Sequence, residues 1–153
     1  MQYDAHITDV ALEQYCKNSV ANGVMRLYAH RAQSSNTAFT ICADIPEKLP
    51  LDAAETCELF SNLLENACEA CENVSGKRFI SLLSQTDDIL RLELRNSVEK
   101  ATVFDENGLP LTTKANGGVG TKSALSIIKN HGGILKFSQE NDVFTAQIIL
   151  PLR

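Results

Sequence analysis

The sequence predicts an α/β chain, specifically an α+β two-layer sandwich with a mixed β-sheet covered on one face by helices. Three observations lead there. Helical periodicity alternates along the chain with short apolar runs suited to strands. The runs 78–86 and 89–96, and again 134–139 and 143–150, are separated only by tight turns, so each pair must be antiparallel. Helices stand between the remaining strands, which can therefore pair in parallel, while the lack of regular βαβ alternation argues against a doubly wound sheet.

The elements follow in order. Residues 9–33 read as a first helix, because Leu12, Cys16, Val20, Val24, Leu27 and Tyr28 recur at three- and four-residue steps, with Ser34, Ser35 and Asn36 ending it. Residues 38–45 suit a strand, and Pro46 and Pro50 punctuate the turn DIPEKLP. Asp52, with Glu55 three residues on, is an N-cap signature that opens a second helix over 53–72. The two alternating runs follow, turned at Asp87 and Asp88. Residues 97–118 hold Asn107-Gly108, Pro110 and Asn116-Gly117-Gly118 without sustained periodicity, and read as a long mobile lid. A third helix over 119–130 stops at Gly132-Gly133, and two strands close the chain around a turn at 140–142. Residues 1–14 read as a leader, the end of a preceding dimerisation region, and 15–153 as the domain itself.

Composition sets bounds on what this domain does. The chain has 153 residues, 44% of them apolar and 22% charged, enough for one ordinary core. Fourteen basic against nineteen acidic residues leave a net charge of −5, which speaks against a nucleic-acid partner, since such proteins need a basic face. No apolar run reaches the roughly 18 residues of a membrane span, and no signal peptide opens the chain. The five cysteines have no framework spacing, so a reducing, cytoplasmic setting is expected. Cys68 and Cys71 form a CxxC on the apolar side of the second helix and read as small buried side chains.

Three features could carry chemistry. At about 100° per residue, Leu59, Phe60, Leu63, Leu64, Ala67, Cys68 and Cys71 fill one arc of the second helix, while Glu58, Glu65 and Glu72 point to water. Asn62, Asn66 and Glu69, at i, i+4 and i+7, form a narrow stripe bordering that arc, an odd use of a mediocre helix former on a solvated face. The segment Gly117–Ser123 opens the third helix, where glycines allow close backbone approach and unpaired N–H groups favour an anion. It matches neither a Walker A loop nor a Rossmann fingerprint. Asn96 follows Leu90, Leu92 and Leu94 on one face of its strand, so an amide is aimed inward at the strand's end.

The stretches NLLENACEA, LRNSV, GGVGTKSALSIIKNHGG and FTAQIILPL, in this order and spacing, resemble the ATP-binding catalytic domain of sensor histidine kinases in the GHKL superfamily. The resemblance covers about residues 15–152 and points to the branch of peptide-sensing quorum kinases. It implies a Bergerat-type ATP-binding fold. It implies that Asn66 binds Mg²⁺ and that Asn62 takes the first position of the N-box, both in the catalytic machinery. Glu69 occupies a place where many histidine kinases carry a basic residue. Asn96 stands at the G1 position, usually an Asp that accepts from the adenine amino group, and the usual DxGxG reads NSVEK here. Gly117, Gly118 and Gly120 match the G2 glycines. Thr121, Lys122 and Ser123 match the turn beneath the phosphates, and Lys114 is a lid cation for the γ-phosphate.

The resemblance also implies a mechanism and partners. ATP-hydrolysing members carry a Glu at the position of Asn62 as general base, and an amide cannot take that proton. The expectation is a kinase catalytic fragment that binds Mg²⁺-ATP and donates the γ-phosphoryl to a histidine on a separate dimerisation domain of the same parent, with a response regulator downstream. None of His6, His30 and His131 has a phosphoacceptor context. The fragment is expected to be monomeric or weakly associated, the cytoplasmic part of a membrane-bound bacterial sensor. The alternative is a nucleotide-binding regulator without kinase activity, or an anti-sigma-type serine kinase.

Overall fold

The computed structural model describes residues 14–111 and 119–153. Among these residues, three helices and five strands follow in the order α1 (Ser19–Ser34), β1 (Ala38–Cys42), α2 (Ala53–Glu72), β2 (Phe79–Thr86), β3 (Ile89–Ser97), α3 (Val119–Asn130), β4 (Ile134–Glu140) and β5 (Val143–Pro151). One sheet holds all five strands in the order β1-β2-β3-β5-β4. Only β1 and β2, which α2 separates in the chain, pair in parallel; the other three pairings are antiparallel. The predicted mixed sheet under helices on one face is the architecture observed.

The helices cover the face that carries Ile80, Leu82, Leu90, Leu92, Leu94, Leu135, Ala146, Ile148 and Leu150. α2 lies between α1 and α3 and brings Leu59, Phe60, Leu63, Leu64, Ala67, Cys68 and Cys71 into the same core. This is the apolar arc read from its periodicity. Asp52 caps α2 through the full capping box with Glu55. α3 ends as the paired glycines suggest: Gly132 has φ +75°, and Gly133 sits where a Cβ would meet Ile149 O at 2.6 Å.

Four expectations need correction. α1 begins at Ser19, not residue 9. Asn18 caps it by accepting from Ala21 N, and the Asn22 side chain takes the N–H groups of Tyr15 and Cys16, which holds that stretch outside the helix. Of the apolar side chains assigned to that helix, Leu27 is 64% exposed and Cys16 is buried from outside it; Leu12 and most of the leader lie outside the described residues. β1 stops at Cys42, three residues short. Residues 98–111 are not a featureless lid. Phe104 bridges to Pro110, the Asp105 carboxylate accepts from Asn107 N and Leu109 N, Gly108 takes φ +78°, and Leu109 is buried. Phe104 stacks on Phe144 of β5 with centroids 6.2 Å apart, and Phe144 on Phe137 of β4.

The fourth correction concerns the glutamates of α2. Glu65 and Glu72 do not face only water. Arg31 of α1 donates to Glu65 and makes two bonds of 2.9 Å to Glu72, while Tyr28 Oη donates to Glu65 at 3.2 Å. Partial burial works against the Glu65 charge, and the guanidinium overrides it, holding that carboxyl below its ordinary pKa. Burial and the Glu65 carboxylate push Tyr28 up to about 12. Among the described residues no helix is long and apolar enough to cross a membrane.

Candidate functional site

Asn62, Asn66 and Glu69 lie one above another on α2 and are half-buried. The spacing that suggested a stripe places it beside the seam with α3. That seam is close. A Cβ on Gly120, the second residue of α3, would lie 3.2 Å from Asn62 Oδ1. Glycine thus lets the first turn of α3 approach the α2 stripe, bringing a helix N-terminus beside the Asn62 carboxamide.

Two further contacts hold the helices in this register. Ser123 Oγ donates to Glu58, one turn before Asn62. At the far end of α3, His131 Nε2 lies 3.0 Å from Glu55 Oε2. The helices therefore run antiparallel, with Asn62–Gly120, Glu58–Ser123 and Glu55–His131 as successive contacts. The backbone N–H of Asp52, and then His131, hold the Glu55 carboxyl below its ordinary pKa. This corrects one expectation and refines another. The Ser123 hydroxyl is turned to a glutamate instead of lying open beneath a ligand, and Glu58, exposed as expected, accepts that bond as well as facing water. His131 is a helix tether.

Asn96 stands as expected, inward on β3 and 3% exposed. Its Nδ2 donates to Ser97 O at 2.9 Å. The strand continues through Ser97, and Val98 N still donates to Asp142 O at 2.8 Å. Phe144 is the direct cross-strand neighbour of Asn96, so the Phe104–Phe144–Phe137 stack borders the amide on the helix side of the sheet. Thr121 is buried and Lys122 exposed on the first turn of α3. Lys114, Gly117 and Gly118 lie outside the described residues. Sequence reasoning missed Glu58 and the aromatic stack. The signal for Glu58 was its place one turn before Asn62; the stack joins residues far apart in the chain and left no local signal.

The CxxC cysteines are buried, as expected. Burial pushes the Cys68 thiol up to about 12 and raises Cys71 as well, so neither is a reactive thiolate. No cluster of metal-ligating His, Cys, Asp or Glu side chains occurs among the described residues. The opposite face of the sheet carries a groove of about 600 Å³ with Leu83, Ile134 and Ile149 exposed on it; none of the candidate residues lines it.

A family model described as "GHKL domain" matches residues 51–151. None of the curated proteins matches. Among solved structures, the catalytic domain of histidine kinase ThkA superposes with a TM-score of 0.70 at 23% identity, over 88% of this chain and 91% of that one. The Acinetobacter baumannii histidine kinase AdeS gives 0.61 at 15% identity, over 88% and 64%. Full-length ShkA, in complex with AMPPNP, gives 0.62 at 13%, over 88% of this chain and 29% of that chain. These likenesses show the α/β sandwich of histidine kinase ATP-binding domains.

Proposed function

The chain belongs to the GHKL domain family, and on that premise we propose that it is the ATP-binding catalytic domain of a two-component histidine kinase, closest to the peptide-sensing quorum branch. The single observation that carries this reading is the α2–α3 seam: Gly120 admits the N-terminus of α3 to the face where Asn62, Asn66 and Glu69 line up. The backbone N–H groups of that turn suit a polyphosphate, and Lys122 adds a positive charge. Asn96, beside Phe144, accepts the adenine amino group at the other end. Lys114, Gly117 and Gly118 complete the phosphate side of the proposal.

The donor set on α2 fits a hard cation. Asn62, Asn66 and Glu69 offer only oxygen ligands, and no hydrogen bond engages the Asn62 or Asn66 side chain among the described residues. Asn66, backed by Glu69, would hold Mg²⁺ here. Bound with ATP, Mg²⁺ neutralises phosphate charge. The protein's own contribution is positioning and charge stabilisation. Asn62 cannot accept a proton from water, so the γ-phosphoryl waits for an acceptor. That acceptor is a histidine of a dimerisation domain in the same parent protein: its imidazole nitrogen forms the bond to phosphorus as the bond to the ADP oxygen breaks. A response regulator then receives the phosphoryl group, and the domain works on the cytoplasmic side of a membrane-bound sensor.

Titration calorimetry of ATP, with and without Mg²⁺, tests the binding half on this chain and on Asn66→Ala. Mg²⁺-dependent binding that the variant loses supports the reading; absence of any ATP or ADP heat refutes it. Phosphotransfer to an acceptor-helix fragment tests the rest. The stretch NSVEK, which lacks the glycines of DxGxG, favours a second reading: a nucleotide-binding regulator without kinase activity, or an anti-sigma-type serine kinase. Normal nucleotide binding without histidine phosphorylation would select it.

A further inference from the structure

The amide at position 96 has a task that a carboxylate cannot do. A carbonyl oxygen only accepts, so the atom of Asn96 facing Ser97 O at 2.9 Å must be the nitrogen. The bond fixes the flip of the amide and turns Oδ1 the other way. Among the described residues nothing donates to Oδ1, and no fully buried side-chain nitrogen or oxygen lacks a partner, so this oxygen is not sealed in the core and has a small exposed space before it. That space is bordered by Phe144.

Ser97 is itself held on every side. Its Oγ accepts from Phe79 N at 3.0 Å and lies 3.3 Å from Cys71 Sγ, which also donates to Phe79 O at 3.2 Å. Cys71 is fully buried and Ser97 nearly so. The second cysteine of the CxxC therefore braces the carbonyl that orients Asn96.

We propose that Ser97, braced by Cys71, is the positioning residue that sets base specificity, locking the Asn96 amide so that its oxygen, and not its nitrogen, is turned to the base. An exocyclic amino group, as on adenine, meets that oxygen with a hydrogen; the O6 carbonyl of guanine meets it lone pair to lone pair. The inference rests on the nucleotide-binding reading and deepens it. It also accounts for Asn at 96: an Asp would press a buried carboxylate oxygen against the Ser97 carbonyl, with no hydrogen between them.

Calorimetric titration with ADP and with GDP tests this at neutral pH. The wild-type chain should prefer ADP by about tenfold or more, the value of one matched against one opposed hydrogen bond. Asn96→Asp should bind ADP about fivefold to tenfold more weakly, although an ionised carboxylate is the stronger acceptor. Ser97→Ala, which removes the Oγ contacts to Phe79 N and Cys71 Sγ and so loosens the residue that carries the carbonyl, should cut the ADP:GDP preference about fivefold while ADP still binds. An Asp variant that binds ADP as tightly as wild type, or an unchanged preference in Ser97→Ala, overturns the inference. Should Asn96→Asp fail to fold, Ser97→Ala decides alone. Failure of the wild type to bind ADP at all refutes the nucleotide-binding reading itself, a different result from binding without discrimination.

Discussion

Gly120→Ala sets two consequences of one methyl group against each other. Gly120 is in the first turn of α3 and does not need positive φ, so alanine is allowed there and favours the helix by up to about 1 kcal/mol. The new Cβ would meet Asn62 Oδ1 at 3.2 Å and Asn62 Cγ at 3.4 Å. Asn62 must give way by a few tenths of an ångström, and a side chain turned off its rotamer costs about 0.5–1.5 kcal/mol. The two effects nearly cancel in stability. For a chain of this size, 1 kcal/mol corresponds to about 2–4 °C, so the midpoint by calorimetry or circular dichroism should stay within about 3 °C of wild type. They do not cancel at the site, where the displaced amide should weaken ATP binding about fivefold, or about 1 kcal/mol. In the Asn62→Ala background the two tightest contacts are gone and the retained Cβ lies at 3.5 Å, an ordinary van der Waals distance, so the substitution should cost no further affinity. Unchanged ATP affinity in Gly120→Ala, or an equal loss in both backgrounds, would refute the close seam as the cause.

Three further outcomes are expected. Gly133→Ala places a methyl 2.6 Å from a backbone oxygen and 2.9 Å from Ile128 Cγ2; thermal unfolding should show a loss of roughly 1–3 kcal/mol, and a neutral result would refute the close approach. Arg31→Met removes the tether between α1 and α2; its side chains are about one-third exposed, so solvent screening limits the loss to about 1 kcal/mol, read from urea midpoints. The folded-state pKa of Glu55 lies below its ordinary value of 4.5, so its contribution is present above that value and is lost as pH falls through the folded pKa. Between pH 7 and pH 3, about four units spanning the carboxylate range, the thermal midpoint of wild type should therefore fall further than that of Glu55→Gln; parallel falls would remove Glu55 from the account.

The α2 stripe was legible because a helix converts spacing into direction, and the arc that it borders is strongly apolar. Asn96 was legible for the matching reason in a strand, where every second residue shares a face. The α1 start was misread because periodicity counts apolar residues and does not see that Asn18 and Asn22 hold the backbone of 15–18 outside the helix. The order in 98–111 was equally hidden: it depends on Phe104 meeting Phe144, forty residues later in the chain.

The sequence by itself determined which faces turn inward, where α2, β2, β3 and α3 run, and that two carboxamides, a glycine turn and an inward amide exist. These follow from local sterics and from the period of apolar burial. Only the tertiary structure decided what each polar group faces. Packing α3 antiparallel on α2 assigned Ser123 to Glu58 and brought Gly120 to Asn62. Folding α2 over the sheet put Cys71 behind Ser97, and Ser97 then set which end of the Asn96 amide is offered. Hydrogen bonds are short-ranged and directional, so their partners are chosen only after the hydrophobic core has fixed the distances between elements.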